Sequence, residues 1–185
     1  TRYGHQDHCQ NQKAQTGVDI NQIMGIWHGI QVFYHRDRFQ YTEHRHDEPV
    51  CPLINLSIIR YSPMEVSLVW QDPSDSFLEY RFRINTSVWI SMHHGGKEGF
   101  DGQLRVLKAV SDHMVLSFCS TNDHYSVLLS RDKYLDYSTI SSVQSMMERY
   151  NLPIYNKTRQ CNGAASYSNS LLSIVLLLLV CWYRS

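Results

Sequence analysis

From Gly25 onward the chain alternates apolar and polar residues in short runs. Met64–Gln71 (MEVSLVWQ) sets Met64, Val66 and Leu68 on one face and Glu65 and Ser67 on the other. Phe77–Ile84 alternates again, with Arg81 and Arg83 set against Tyr80 and Phe82. A period of two belongs to a strand with one buried face, since successive side chains leave a strand on opposite sides. Gly25–Arg36, Val50–Tyr61, Thr86–Met92, Leu104–Val110, Met114–Cys119 and Tyr125–Arg131 are further β-type runs. Turn chemistry separates them: Ser62-Pro63, Asp72-Pro73-Ser74-Asp75 and Gly95-Gly96-Lys97-Glu98-Gly99. Strands spaced about eight to twelve residues apart predict a meandering antiparallel sandwich or barrel of about eight strands.

One segment departs from that period. Ser138–Tyr150 (STISSVQSMMERY) carries Ile140, Val143, Met146 or Met147 and Tyr150 at helical spacing. Ser138 suits an N-cap, and Pro153 stops any continuation. A helix is therefore expected late in the chain, after the strands. Residues 1–17 are polar, with neither period, and read as an extended arm pinned by Cys9. Asp19 can cap a single short turn ahead of Gly25. Asp37–Pro49 is charged, rich in His, and reads as a long loop.

Charge changes this picture little, except by exclusion. Lys and Arg number 17 against 17 Asp and Glu, so the formal net charge is zero. A nucleic-acid partner is not expected, because phosphate neutralisation needs a basic surplus. The hydrophobic content of 43% is enough for a real core, and the 12 Tyr, 6 Phe and 4 Trp suit strands.

The C-terminal end differs in kind. Leu171–Tyr183 (LLSIVLLLLVCWY) has no charged residue, yet falls short of the roughly 18–20 apolar residues of a spanning helix. Ahead of it lie the small residues Asn162-Gly163-Ala164-Ala165-Ser166 and a polar spacer. This is the layout of a glycosylphosphatidylinositol-anchor signal over residues 162–185, with attachment at Asn162 or Gly163 and loss of the tail. Of the cysteines, Cys181 lies in that tail, which leaves four: Cys9, Cys51, Cys119 and Cys161. The sequons at Asn55, Asn85 and Asn156 are candidate N-glycosylation sites. These features together predict the secretory pathway and the outer face of the plasma membrane, with an N-terminal signal already removed.

Gly25-Ile26-Trp27, opening the first strand after a short turn, resembles the glycine-x-tryptophan signature of the lipocalins. Thr121-Asn122-Asp123-His124-Tyr125 resembles the second motif of that family, with His124 inserted between Asp123 and Tyr125. Ser130-Arg131-Asp132 resembles the third. The resemblance spans residues 18–161 and is strongest to the lipid-anchored apolipoprotein D and Lazarillo-like branch. It implies an all-β fold, an eight-stranded antiparallel up-and-down barrel with one C-terminal α-helix packed on it. It implies that Trp27 plugs the barrel base under Arg131 in a cation–π contact, with Gly25 allowing close backbone passage. Four cysteines permit several connectivities, and the resemblance implies Cys9–Cys119 and Cys51–Cys161.

A small closed barrel has space for one ligand. The candidate lining is the aromatic set of the middle strands: Trp70, Tyr80, Phe82, Trp89, Phe118 and Tyr125. The loops Asp37–Pro49 and Gly95–Gly102 would control entry. His44-Arg45-His46, His93-His94 and His5-Gln6-Asp7-His8 read as solvated loop residues, so no metal and no cofactor is expected. With no framed nucleophile and no paired carboxylates, neither is an enzyme. The expected function is binding of a small hydrophobic ligand, namely a lipid, sterol, retinoid-like molecule or pigment, at a membrane held through a glycosylphosphatidylinositol anchor. The alternative is a cell-surface recognition protein in cell–cell contact or axon guidance, with a protein partner and the barrel as scaffold.

Overall fold

The computed structural model describes Cys9 and residues 12–37, 51–73, 76–92, 100–159 and 161. A one-turn helix α1 (Ile20–Ile23) precedes eight strands: β1 (Gly25–Tyr34), β2 (Leu53–Tyr61), β3 (Met64–Gln71), β4 (Phe77–Asn85), β5 (Val88–Ser91), β6 (Gly102–Ala109), β7 (His113–Ser120) and β8 (His124–Ser130). Helix α2 (Tyr137–Arg149) and a short strand β9 (Asn156–Arg159) follow. Each strand pairs antiparallel with the next, and β1 pairs with both β2 and β8, so the sheet closes into an eight-stranded up-and-down barrel. Of the two architectures that strand spacing allows, the barrel is the one formed, as the resemblance implied.

Closure depends on a change of partner along β1. Gly25–His28 pair with Leu53–Leu56 of β2, while His28–Tyr34 pair with Tyr125–Ser130 of β8. The register shifts between Gly29 and Gln31, where the strand bends. Beyond the bend β2 has left, and β9 takes the vacated edge of β1 through Gln31–Tyr34. That ninth strand has no apolar alternation and is missed by sequence reasoning. The backbone of Cys161 continues the pairing by donating to Ile30 O at 3.2 Å. Gly29 is required at the bend, since a Cβ there would stand 2.8 Å from Pro52 Cγ and 3.2 Å from Ile54 Cδ1.

Two layers of core result. The inner layer fills the barrel, with Trp27, Ile54, Leu68, Phe82, Trp89 and Leu116 almost wholly buried. The outer layer lies between barrel and helix: Ile140, Val143, Met146 and Met147 of α2 cover Ile30, Leu107, Val115 and Leu128. The helical spacing of those four apolar residues is the reason α2 docks on this face. Its N-cap is Asp136 rather than Ser138, a correction to the sequence expectation. The Asp136 carboxylate accepts from Thr139 N at 2.8 Å, and the Ser138 hydroxyl, already inside the first turn, donates back to it. Those hydrogen bonds, Ser138 first and Thr139 next, hold the Asp136 carboxyl well below the usual carboxylate range.

The alternation in β3 also needs amending. Glu65 and Ser67 point away from the barrel interior as expected, yet both are buried. Glu65 lies between Arg83 (3.1 Å) and Arg60 (3.6 Å), and the Ser67 hydroxyl donates to Glu79 at 3.0 Å. Long arginine side chains thus cover the outer wall.

Both disulfides implied by the resemblance are formed, Cys9–Cys119 and Cys51–Cys161, each with a sequence separation of 110. The first ties the N-terminal arm to β7, and the second ties the residues after β9 to the segment entering β2. Gln15 adds a further attachment of the arm: its N donates to Val106 O at 2.9 Å, and its side-chain amide bonds both backbone groups of Ala109.

One end of the barrel is sealed as the motif residues imply. Arg131 stacks on Trp27 with its guanidinium carbon 3.7 Å from the ring centroid. It also donates to Gln22 O (2.9 Å) and Met24 O (2.9 Å), carbonyls left open at the end of α1, and to Ile26 O (3.0 Å) in β1. Trp27 Nε1 donates to Ile23 O at 2.9 Å. Gly25 has φ +96°, a region closed to other residues without strain.

Arg131→Met keeps bulk but removes the charge and three donors. It is expected to lower stability by about 2–3 kcal/mol in denaturant unfolding, through loss of the cation–π contact and the hydrogen bonds. Gly29→Ala is expected to cost about 1–3 kcal/mol in the same assay, because a proline ring cannot swing away from the added methyl.

Candidate functional site: the open mouth of the barrel

Because consecutive hairpins turn at opposite ends, the β7–β8 connection lies at the end away from Trp27. A cavity of about 280 Å3 opens there. Four of the six aromatic candidates line it: Trp70 from β3, Tyr80 from β4, Phe118 from β7 and Tyr125 from β8. Strand alternation delivers them, since each is an inward residue at the mouth end of its strand. Phe118 and Tyr125 are partners across β7–β8 and stack at 5.0 Å with planes 11° apart. Tyr34 meets Tyr125 at 6.4 Å and completes an aromatic wall.

The other two candidates lie elsewhere. Phe82 is 0% exposed and Trp89 1%, and neither reaches the cavity. They form a partition across the barrel beneath it, with Phe82 6.3 Å from Trp89 and 6.5 Å from Phe118. Phe100 joins the same group, edge-on to Phe118 at 5.5 Å. Sequence reasoning could not separate lining from partition, because depth along the barrel is set by register and not by residue type.

Val32, Tyr34, Leu78, Asp123 and Val127 also line the cavity and were missed as lining residues. Tyr34 and Val32 had a usable signal, being inward positions of β1 opposite β8. Leu78 is 54% exposed and forms a greasy lip. The polar groups at this site are the tyrosine hydroxyls, the indole of Trp70, which donates to Asp72 at 3.0 Å, and Asp123. Burial pushes the Tyr80 hydroxyl above its ordinary pKa, so it is a protonated hydrogen-bonding group at neutral pH. An apolar concavity with a few polar groups near its rim is the usual form of a small-molecule site.

Behind the aromatic wall lies a buried polar cluster that sequence reasoning also missed. Alternation turns Tyr34 and Tyr125 inward, and sends their neighbours His35 and His124 to the outer side. His35 Nδ1 donates to Pro153 O at 2.9 Å, while its Nε2 accepts from the Ser126 hydroxyl at 2.7 Å. The His124 ring stands 4.8 Å from that of His35. Gln12 of the arm donates to His124 Nε2 at 2.7 Å and accepts from the Ser117 hydroxyl at 3.1 Å. His124, ahead of Tyr125, thus has a structural use: it joins the arm to the barrel wall.

The remaining sequence candidates fall as follows. Asn55, Asn85 and Asn156 all carry exposed side chains, Asn55 on the outer face of β2 despite its apolar neighbours. Asp123 shapes the turn before β8, where Ser120 Oγ accepts from its backbone N at 2.8 Å. His5, His8, His44, His46, His93 and His94 lie outside the described residues, as do Asn162, Gly163 and the apolar tail. So do most of the two loops expected to control entry. Among the described residues no helix is long and apolar enough to cross a membrane, and no three His, Cys, Asp or Glu side chains gather as a metal site. No protein-family model matches this chain, and no curated protein sequence matches it.

Desolvation, partly offset by the Pro153 hydrogen bond, pushes the His35 pKa below its ordinary 6.5. The folded protein therefore keeps His35 neutral where the unfolded chain takes up a proton. Stability contributed by neutral His35 is complete above pH 6.5 and falls as pH drops from there toward the lowered folded pKa. His28 is shifted the same way, by desolvation and then by Lys133, and adds to the slope. Urea midpoints measured between pH 7.5 and 5 are expected to fall with pH. His35→Gln, which retains a donor and an acceptor, is expected to flatten part of that fall; an unchanged slope would exclude His35.

Proposed function

We propose that the protein is an extracellular lipocalin of the apolipoprotein D and Lazarillo-like type. It binds a small hydrophobic ligand in the barrel mouth, and a glycosylphosphatidylinositol anchor at Asn162 or Gly163 tethers it to the membrane. The observation that carries the reading is the cavity of about 280 Å3 walled by Tyr34, Trp70, Tyr80, Phe118 and Tyr125. An apolar molecule entering it leaves water at a gain of about 25 cal/mol per Å2 buried. The aromatic walls are already packed against one another and lose little freedom on binding. Tyr80 offers a protonated hydroxyl to an alcohol or carbonyl on the ligand.

Two further observations support the extracellular setting, and a third the place of entry. The two disulfides fit an oxidising compartment. The asparagines of all three sequons are exposed, as glycosylation requires. The Arg131–Trp27 seal leaves the aromatic mouth as the natural entrance to the barrel. The function is carriage or reception of a ligand and not its chemical conversion.

The test uses the full chain expressed in a eukaryotic cell and purified from its membranes or medium, with all-trans-retinol, cholesterol and palmitate as probes. Saturable quenching of tryptophan fluorescence at one equivalent is expected for at least one probe, with Trp70 as reporter. Tyr80→Ala and Tyr125→Ala are each expected to weaken that binding about tenfold, or about 1.4 kcal/mol. Absence of saturable binding for all three would overturn the ligand reading. Release of the protein from intact cells by phosphatidylinositol-specific phospholipase C checks the anchor separately.

A further inference from the structure

The sealed end of the barrel holds a second hollow, of about 400 Å3, larger than the mouth cavity. It lies between the segment Gln15–Ile20 and the β4–β5 turn. Val18, Ile20, Val106 and Trp89 are its apolar lining residues, and Gln15, Thr16, Thr86 and Ser87 its polar ones. Among the described residues, no ionisable side chain lines it. We infer that this hollow is a second binding site, for a small, neutral, ring-bearing alcohol or phenol.

The walls are built in advance. Gln15 fixes one side to β6 through its backbone bond to Val106 O (2.9 Å) and its paired side-chain bonds to Ala109 (2.7 and 3.2 Å). The Cys9–Cys119 disulfide holds the same arm farther along. At Gly17, with φ +69°, a Cβ would meet nothing within 4 Å, so the backbone borders open space. The opposite lip is strained: Thr86 is β-branched and has φ 55°, a conformation costing on the order of 1–3 kcal/mol. A strained lip facing a fixed wall is a preorganised cleft, in which binding orders little more of the chain.

The ligand class follows from the lining. Apolar lining beside the indole of Trp89 takes a compact apolar body, and hydroxyl-bearing residues on both walls, Thr16 facing Thr86 and Ser87, take its oxygen. The Thr86 hydroxyl already donates to Asn85 O at 2.7 Å and serves as an acceptor for a ligand O–H. A carboxylate or ammonium would be desolvated with no counter-charge among the lining residues. The site is distinct from the mouth. Trp89 borders the hollow, Phe118 borders the mouth cavity, and buried Phe82 lies between them at 6.3 and 6.5 Å. The inference therefore stands or falls independently of ligand binding at the mouth.

The experiment titrates the isotopically labelled full chain with 2-naphthol and, separately, with 2-naphthoate, following backbone amide shifts by nuclear magnetic resonance. Saturable shifts at Gly17, Thr86 and Ser87 are expected with 2-naphthol, and at least tenfold weaker binding with 2-naphthoate. Ser87→Phe, which fills the hollow from its lip, is expected to weaken those shifts at least tenfold and to leave any response at Asp123 and Tyr125 unchanged. If that variant does not fold, Thr16→Phe on the exposed opposite wall makes the same test. No saturable shift at the three amides, equal response to the naphthoate, or an unaltered isotherm in the folded variant would each overturn the site.

Discussion

Everything in this molecule depends on β1 holding two neighbours at once. An antiparallel sheet of eight strands has two edges, and only hydrogen bonding of the first strand to the last removes them. Here β1 meets β2 over Gly25–His28 and β8 over His28–Tyr34, with the bend at Gly29–Gln31 between. Straight strands cannot serve partners running in diverging directions, and the missing Cβ of Gly29 lets Pro52 approach the bend. The interior, the mouth and the helix platform all follow from that closure. The edge of β1 exposed beyond the bend is covered by β9, which the Cys51–Cys161 disulfide keeps in place.

Closure creates an interior with two unlike ends and a partition. At the sealed end, Arg131 satisfies three backbone carbonyls while lying on Trp27, so a charged group both covers and is covered. In the middle, Phe82, Trp89, Phe100 and Phe118 contact one another edge-on or tilted, the geometries that aromatic quadrupoles favour. At the mouth, Phe118 and Tyr125 lie parallel and leave room beside them. The aromatic richness of the chain therefore has two physical outcomes: dense filling below and a lined hollow above.

The outer surface of the barrel carries the attachments. Alternation that sends Tyr34 and Tyr125 inward sends His35 and His124 outward, into a largely buried polar cluster with Ser117, Ser126 and Gln12. The arm crosses this cluster, follows β6 through Gln15, and then borders the hollow at the sealed end. The same segment thus stabilises the barrel wall and shapes a concavity. Sites formed between a barrel and a strap are defined by how tightly the strap is tied, and here a disulfide and the Gln15 bonds tie it.

Local patterns in the sequence determined the elements: the period of two in β3 and β4, the breaks at Ser62-Pro63 and Asp72-Pro73, and the helical spacing of Ile140, Val143 and Met147. The motif residues Gly25, Trp27 and Arg131, and the pairing of the four cysteines, were legible through the family resemblance, and the structure places them together. These features are readable because a face, a turn or a cap depends on residues within a few positions of one another. What tertiary structure decided was depth, closure and cover. Trp89 and Trp70 look alike in sequence, but register sends one to the partition and the other to the mouth. β9 exists only because β1 has a vacant edge, and Asp136 caps α2 in place of Ser138 because the chain turns into the helix two residues earlier. The histidine cluster and the hollow at the sealed end join residues far apart in the chain, as with Gln12 and Ser117, separated by 105. No local pattern encodes such meetings, because the free energy that makes them arises only when the sheet has closed.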